Sequence, residues 1–136
     1  MAKMMARQKI LVVEDAEDHR SVLRWLLEMD GYEIVEAGDG LCAVDAARRE
    51  SPDLILMDIS LPKVDGLQAM REIRASAALR SVPIIAMSAY DQQEIREQAL
   101  LAGCTDYAPK PLDLEQLEVM IRRYLSPLEC EVTGTD

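Results

Sequence analysis

Five side chains in this sequence could act together on a phosphoryl group, although they are widely spaced along the chain. They comprise three carboxylates, one hydroxyl and one ammonium group: Glu14, Asp15, Asp58, Ser88 and Lys110. Oxygen ligands that leave space for water suit Mg²⁺, which keeps several waters and bridges to phosphate. The set therefore indicates a divalent cation and a phosphoryl group, with a carboxylate as the candidate nucleophile.

Each of these side chains also has an ordinary structural alternative. Glu14 and Asp15 could cap a helix, Asp58 and Ser88 could each cap the segment that follows, and Lys110 could be a surface charge. Their conjunction favours a site, because three carboxylates about 5 Å apart would repel by roughly 3 kcal/mol per pair at an effective dielectric of 20. A fold gains no stability from gathering them, whereas a divalent cation and Lys110 would relieve the repulsion.

Short aliphatic runs precede most of these groups and predict the strands that would position them. Most of the runs are continuous rather than alternating, which is typical of strands buried on both faces of a parallel sheet, and the fifth run is the weakest. They are Ile10–Val13, Glu33–Ala37, Leu54–Met57, Val82–Met87 and Asp106–Ala108. Segments with apolar residues at helical spacing alternate with them, and Gly31 and Gly103 are placed to end two of these helices.

Five strands alternating with five helices predict a doubly wound α/β fold. In open parallel sheets, sites lie beyond the carboxyl ends of the strands, at the switch point of strand order. Four of the five runs are followed by one of the reactive groups, so these groups are expected to converge on one edge of the sheet.

The length of 136 residues is that of a single domain. We expect a flexible N-terminal segment at residues 1–8, a folded domain at residues 9–125 and a short mobile C-terminal tail at residues 126–136. The tail is predicted because this stretch mixes Pro, Gly, Thr and acidic residues without periodicity. No second domain is expected.

Composition and charge exclude several classes of partner. The chain has 25 Asp+Glu against 15 Lys+Arg, a net charge of −10, which argues against direct nucleic-acid binding. No apolar run approaches the roughly 18 residues of a membrane-spanning helix, so no membrane insertion is expected. The three cysteines, Cys42, Cys104 and Cys130, share no CxxC spacing and predict reduced thiols. A cytoplasmic location is expected.

The motifs around the candidate residues resemble the receiver domain of bacterial response regulators, in particular the single-domain type of chemotaxis and cell-cycle systems. The similarity covers about residues 9–125. It is carried by Val13-Glu14-Asp15, Leu56-Met57-Asp58, Leu61-Pro62-Lys63-Val64-Asp65-Gly66, Met87-Ser88-Ala89 and Pro109-Lys110-Pro111. The resemblance implies a flavodoxin-like fold, with a five-stranded parallel sheet in the order 2-1-3-4-5, two helices on one face and three on the other.

The resemblance also implies a role for each residue of the metal site. Asp58 matches the aspartate that accepts a phosphoryl group from a histidine kinase or a histidine phosphotransfer protein. Asp15 and Asp58 would be direct ligands of Mg²⁺ (or Mn²⁺), and Glu14 would act through a metal-bound water. The backbone carbonyl of Ser60 would complete the protein's share of the ligands.

Other family roles concern the phosphoryl oxygens and the switch. Lys110 would pair with the acceptor and then with a phosphate oxygen, while the Ser88 hydroxyl and the Ala89 N–H would bind another. Lys110-Pro111 matches the family's cis peptide. Ser88 and Tyr107 would form the switch, in which the hydroxyl moves toward the phosphoryl group and the aromatic ring turns inward.

The leading hypothesis is a phosphorylatable receiver that signals by altered protein–protein binding. It would not be an enzyme acting on a separate substrate, but a phospho-acceptor that catalyses its own phosphorylation and dephosphorylation. A downstream target would bind the face formed by the fourth helix, fifth strand and fifth helix. Two alternatives remain open: a phosphorylation-independent scaffold that keeps the fold, and an aspartate-nucleophile phosphotransferase or hydrolase. The last usually needs a second carboxylate two residues beyond the nucleophile, where this chain has Ser60.

Overall fold

Five parallel strands form one sheet in a computed structural model that describes residues 7–59, 66–89 and 93–125. The strands are β1 (Lys9–Val13), β2 (Glu33–Ala37), β3 (Leu54–Asp58), β4 (Ile84–Ser88) and β5 (Asp106–Pro109). Their order, β2-β1-β3-β4-β5, confirms the predicted topology. β4 begins two residues later than the sequence predicted, because Pro83 has no N–H to contribute to the ladder.

Asp58 and Ser88 are the last residues of β3 and β4, whereas the sequence placed both of them just after a strand. The hydrogen-bond ladder extends this far because the next residues complete it. The Ile59 N–H donates to the Met87 carbonyl at 2.9 Å, and the Lys110 N–H donates to the Ser88 carbonyl at 2.8 Å. Both side chains are therefore held by the rigid end of the sheet rather than by a loop.

Helices follow each of the strands. They are α1 (Glu17–Met29), α2 (Gly40–Glu50), α3 (Gly66–Ala75), α4 (Gln93–Ala102) and α5 (Leu114–Leu125), with a short 3₁₀ turn at Ala77–Leu79. The Asp39 carboxylate caps α2 by accepting a hydrogen bond from the Cys42 N–H at 2.8 Å. Gly31 and Gly103 follow α1 and α4 with φ angles of +96° and +118°, which confirms their predicted role in ending these helices.

Alternate residues of each central strand face opposite sides of the sheet and build two apolar cores. In β1, Leu11 and Val13 pack with α2, α3 and α4. Ile10 and Val12, the alternate pair, pack with α1 and α5. All four side chains are fully buried, which is why β1 reads as a continuous apolar run. The division of three helices and two is the one that the resemblance implied.

Some predictions fall on residues outside the described part of the chain. The predicted tail at residues 126–136 is among them, as are residues 1–6 of the predicted N-terminal segment and the carbonyl of Ser60. Among the described residues, no helix combines the length and apolar character needed to cross a membrane.

Candidate functional site

The carboxyl ends of β1 and β3 bring three acidic side chains together. Glu14 and Asp15 directly follow β1, and Asp58 ends β3, which is the neighbour of β1 in the sheet. One carboxylate oxygen from each of these residues lies within 4.8 Å of the others. The sheet order therefore gathers groups that lie far apart in sequence.

The three carboxylates differ in their exposure. Glu14 and Asp58 are only 1% and 3% exposed, whereas Asp15 lies at the surface. The capping alternative for Glu14 and Asp15 is not what the structure shows, because the N-cap residue of α1 is Ala16 and no side chain caps it. Instead, the Ala16 N–H donates to Oε2 of Glu14 at 3.2 Å, in a short turn that keeps this carboxylate directed inward.

Lys110 bridges two of the carboxylates. Its Nζ donates to Oδ2 of Asp58 and to Oε1 of Glu14, at 2.8 Å in each case. The Lys110–Pro111 peptide bond is cis. The pairing with Asp58 was expected from the sequence, but the bond to Glu14 was not, because motif spacing places strand ends without resolving which carboxylate a flexible lysine reaches.

The surroundings of Lys110 keep it charged. Burial alone would lower the pKa of its ammonium group, but the hydrogen bonds to Asp58 and Glu14, together with their negative charges, outweigh burial and raise that pKa above its usual value. Because its pKa is raised, the stability that the positive charge of Lys110 contributes is fully present below the unfolded pKa of about 10.4 and is lost only as the pH rises through the folded value. Lys110 is therefore a permanent cation across the neutral range.

The donor set of the cluster fits a hard divalent cation. Glu14, Asp15 and Asp58 carry three negative charges, and Lys110 supplies one positive charge, so the four groups leave a surplus of two negative charges. Carboxylate oxygens with one ligand at the solvent-exposed edge suit Mg²⁺, which binds through one or two carboxylates and retains water. Mn²⁺ accepts the same ligand types.

Ser88 and Ala89 lie at the end of β4, beside the acidic cluster. Ser88 is fully buried, and Ala89 is exposed. In the sheet register Asp58 pairs with Met87, so Ser88 lies one residue beyond the partner of Asp58 on the adjacent strand. Ala89 shares the wall of a cleft with Glu14 and Lys110.

Tyr107 lies on β5, opposite Ala86 of β4. Its ring is half-buried against the core on the α2–α3–α4 side of the sheet. The guanidinium carbon of Arg96, on α4, lies 4.8 Å from the centre of this ring, a cation–π contact. The sequence predicted a switch role for Tyr107 but not this contact, which depends on the rotational phase of α4.

A cleft of about 450 Å³ opens beside the acidic cluster. One wall is α1 and the other is the segment that leads from β5 into α5. His19 lies on the α1 wall and is exposed. The lining is mostly apolar and comprises Glu14, His19, Val22, Leu23, Ala89, Lys110, Pro111, Leu112 and Leu114.

The fold and the clustered groups are those implied by the resemblance to receiver domains, and comparison with known proteins agrees. The model of the family described as "Response regulator receiver domain" matches residues 10–122. The chain therefore belongs to the response regulator receiver domain family. Receiver domains of this family are signalling phospho-acceptors of two-component systems rather than enzymes in the usual sense.

Similar proteins include both a curated relative and solved structures. The polar-differentiation response regulator DivK of Brucella ovis is 37% identical over 118 residues, which cover 87% of this chain and 96% of the relative. The receiver domain of the sensor histidine kinase PA1611 from Pseudomonas aeruginosa is 43% identical, with a TM-score of 0.81 over 88% of this chain and 98% of that one. That structure holds a magnesium ion coordinated in its active-site cleft.

A chemotaxis protein has the same fold at lower identity. CheY4 of Vibrio cholerae is 26% identical, with a TM-score of 0.83 over 88% of this chain and 99% of that one.

Proposed function

We propose that this protein is a phosphorylatable switch in which Asp58 accepts a phosphoryl group from a histidine kinase or a histidine phosphotransfer protein. The observation that carries the proposal is the buried Asp58 carboxylate, which lies within 4.8 Å of two further carboxylates and 2.8 Å from the Lys110 ammonium. A permanently charged cation beside a buried carboxylate is suited to stabilise the negative charge of a phosphoryl group.

The metal would be held by the acidic cluster. Asp15 and Asp58 would ligate Mg²⁺ directly, Glu14 would act through a metal-bound water, and the resemblance adds the carbonyl of Ser60. When bound, the ion would supply positive charge against the oxygens of the transferring group. The other groups that would stabilise the transferring phosphoryl group are residues of the chain itself.

In the transfer, an oxygen of Asp58 would form a bond to phosphorus while the bond from phosphorus to the donor's imidazole nitrogen breaks. Lys110 would then exchange its bond to Asp58 for one to a phosphoryl oxygen, while its second bond, to Glu14, keeps the ammonium in place. The Ser88 hydroxyl and the Ala89 N–H would bind another oxygen. The same positioned donors would later assist water in removing the phosphoryl group.

The proposal is tested by incubating the protein with acetyl phosphate and following its intact mass. We expect one phosphoryl group to be gained in the presence of Mg²⁺ and none after the metal is removed with EDTA. Mn²⁺ is expected to restore the gain, because it accepts the same oxygen ligands. No modification with either metal, together with no binding of beryllofluoride, would refute the proposal and favour a phosphorylation-independent scaffold.

The cleft beside the acidic cluster is where we propose that the phosphodonor docks. Its apolar walls fit a helix that carries the phosphorylated histidine, and its floor adjoins Glu14 and Lys110. On the α1 side, Val22 and Trp25 are 52% and 64% exposed, which leaves an apolar stripe available for such a helix. The chemistry of Asp58 would thus be reached across α1.

Val22→Glu is expected to separate docking from chemistry. A charge buried in an apolar interface costs enough to slow transfer from a protein donor by about tenfold or more, since central interface side chains contribute upward of about 1–2 kcal/mol. Modification by acetyl phosphate should not change. Both rates are measured by intact mass, with the kinase or phosphotransfer protein that phosphorylates the wild type.

The matched control for Val22→Glu is Leu101→Glu. Leu101 is 88% exposed on α4, a helix that, in the described part of the chain, contributes no residue to the cleft lining, so this variant should leave transfer unchanged. Equal slowing by the two variants would contradict docking at the cleft.

We further propose that phosphorylation is read out on the face formed by α4, β5 and α5. Ser88 would move toward the phosphoryl group and Tyr107 would turn inward, which requires the ring to leave the Arg96 guanidinium. A target protein would then distinguish the two states of this face. We place these events in the cytoplasm, where thiols such as that of Cys104 remain reduced.

A further inference from the structure

Arg20, on α1, joins the acidic cluster to the neighbouring strand β2. Its Nη1 donates to the main-chain carbonyl of Glu14 at 2.8 Å. Its Nε donates to Oε1 of Glu36, in β2, at 2.9 Å. The side chain is 20% exposed and that of Glu36 is 28% exposed, so the ion pair is partly shielded from water. No motif in the sequence draws attention to either residue.

Arg20 completes a set of bonds that fixes Glu14 at every polar atom. The Glu14 N–H donates to the Ala37 carbonyl at 3.1 Å. Its two carboxylate oxygens accept bonds from the Ala16 N–H and from Lys110. The remaining polar atom is the main-chain carbonyl oxygen, and Arg20 is its donor.

The Glu14 carbonyl belongs to the planar peptide group that leads into Asp15. Holding its oxygen therefore fixes the plane from which the Asp15 backbone continues, and with it the direction of the exposed Asp15 carboxylate. Without Arg20, this peptide could rotate while Glu14 kept its bond to Lys110. Asp15 would then lose its place in the cluster, although the sheet and its ends would remain intact.

We propose that Arg20 is a positioning residue for the metal site, which it orients through the Glu14 carbonyl while Glu36 holds its guanidinium. The inference rests on the proposed function, since it concerns the same acidic cluster. Arg20 touches neither the metal nor the phosphoryl group in this scheme. Glu36 remains an anion for this purpose: burial would raise the pKa of its carboxyl, but hydrogen bonds from Arg24 and Arg20 outweigh burial and lower it.

Loss of the Arg20 charge and loss of its positioning role should change the affinity for Mg²⁺ in opposite directions. Removing a cation near three carboxylates makes the site more negative, so charge alone would tighten the binding of Mg²⁺. Loss of positioning would weaken it. The direction of the change in affinity therefore distinguishes the two effects.

Arg24 provides a matched control. It lies one turn further along α1, and its Nη1 donates to the other oxygen of the same Glu36 at 2.8 Å. Among the hydrogen bonds of the described residues, none joins Arg24 to Glu14. Arg24→Ala therefore removes the same charge and a bond to the same carboxylate, but leaves the Glu14 carbonyl held.

The experiment is a calorimetric titration of Mg²⁺ into the wild type and the variants Arg20→Ala, Arg20→Lys and Arg24→Ala at one ionic strength. We expect Arg20→Ala to weaken Mg²⁺ binding by about tenfold or more, the loss typical of residues that orient metal ligands. Arg24→Ala should stay within about twofold of the wild type, because it changes charge near the site without releasing the carbonyl. Thermal unfolding in EDTA verifies that each variant is folded.

The outcomes that overturn the inference are specific. Unchanged or tighter Mg²⁺ binding in Arg20→Ala would do so, as would an equal loss in Arg24→Ala. Arg20→Lys keeps the charge but lacks the planar fork that serves two acceptors, so it should remain weaker than the wild type. Full affinity in Arg20→Lys would show that charge suffices. Failure of the proposed function has a different signature, a wild type that binds Mg²⁺ but is not phosphorylated.

Discussion

Asp58→Asn is expected to abolish the gain of a phosphoryl group from acetyl phosphate while leaving the fold intact. The amide keeps the shape of the side chain and an oxygen that can accept the bond from Lys110, but it is not a nucleophile. Asp58 is only 3% exposed, so its packing matters, and it should be preserved because Asn is nearly the same size and shape as Asp. Intact mass after incubation with Mg²⁺ and acetyl phosphate measures the loss.

Asp45→Asn is a suitable control for the loss of a carboxylate. Asp45 lies on α2, is 75% exposed in its side chain and pairs with Arg49 at the surface. Such a pair contributes little, so this variant should be phosphorylated like the wild type. If Asp58→Asn still gained one phosphoryl group, the acceptor would have to be another residue and the proposed role of Asp58 would be wrong.

Asp58→Asn should also slightly stabilise the metal-free protein. At an effective dielectric of about 20, each repulsion within the cluster is roughly 3 kcal/mol and the attraction to Lys110 is roughly 6 kcal/mol. Removing the charge of Asp58 relieves two repulsions and loses one attraction, so the electrostatic terms nearly cancel. Relief of a buried charge then favours the variant, and we expect the free energy of unfolding in EDTA to rise by about 1 kcal/mol or less.

The positions of the reactive groups were predictable because they depend on strand ends. In a parallel sheet of known order, Glu14 and Asp58 must meet wherever β1 and β3 end, and an apolar run followed by a carboxylate marks that end in the sequence. Even the error was small: Asp58 and Ser88 belong to their strands because the backbone ladder extends through them, and a side-chain pattern carries no information on backbone pairing.

The contacts that support the site were not predictable in the same way. Arg20 reaches Glu36 and the Glu14 carbonyl because of the rotation of α1 about its axis, and motif spacing does not specify this rotation. Arg74 is a similar case: its guanidinium donates to the carbonyls of Leu79, Arg80 and Gly103, and so ties α3 to the end of α4. In sequence, such arginines are indistinguishable from those of a solvated helix face.

Gly66→Ala is expected to destabilise the protein strongly, against the usual preference of helices for alanine. Gly66 is the first residue of α3, and in the interior of a helix replacement of glycine by alanine is ordinarily stabilising by about 0.5–1 kcal/mol. Here, however, an added Cβ would lie 2.7 Å from the Asp58 carbonyl oxygen and would overlap the Cα of Ile59. Both are backbone atoms at the end of β3, so a change of side-chain rotamer cannot relieve the overlap.

Relief of this overlap requires α3 to move away from the end of β3. We expect the free energy of unfolding to fall by about 2–3 kcal/mol, the upper range for overpacking a buried site. Because the obstructed carbonyl belongs to Asp58 itself, the Asp58 side chain should also shift, and modification by acetyl phosphate should slow. Denaturant unfolding and intact mass measure the two effects.

Gly31→Ala tests the second reason for which a position can require glycine, a positive φ angle. Gly31 has a φ of +96° with nothing within 4 Å of an added Cβ, so alanine there meets backbone strain without a clash. Its cost should be about 1–2 kcal/mol, with no effect on phosphorylation, since Gly31 lies beyond the end of α1 opposite the acidic cluster. Backbone strain alone would make Gly31 the more sensitive position, whereas the close approach to β3 makes Gly66 more sensitive. Wild-type stability in Gly66→Ala would mean that α3 can move away freely. The close packing of α3 against the end of β3 would then not be what holds Asp58 in place.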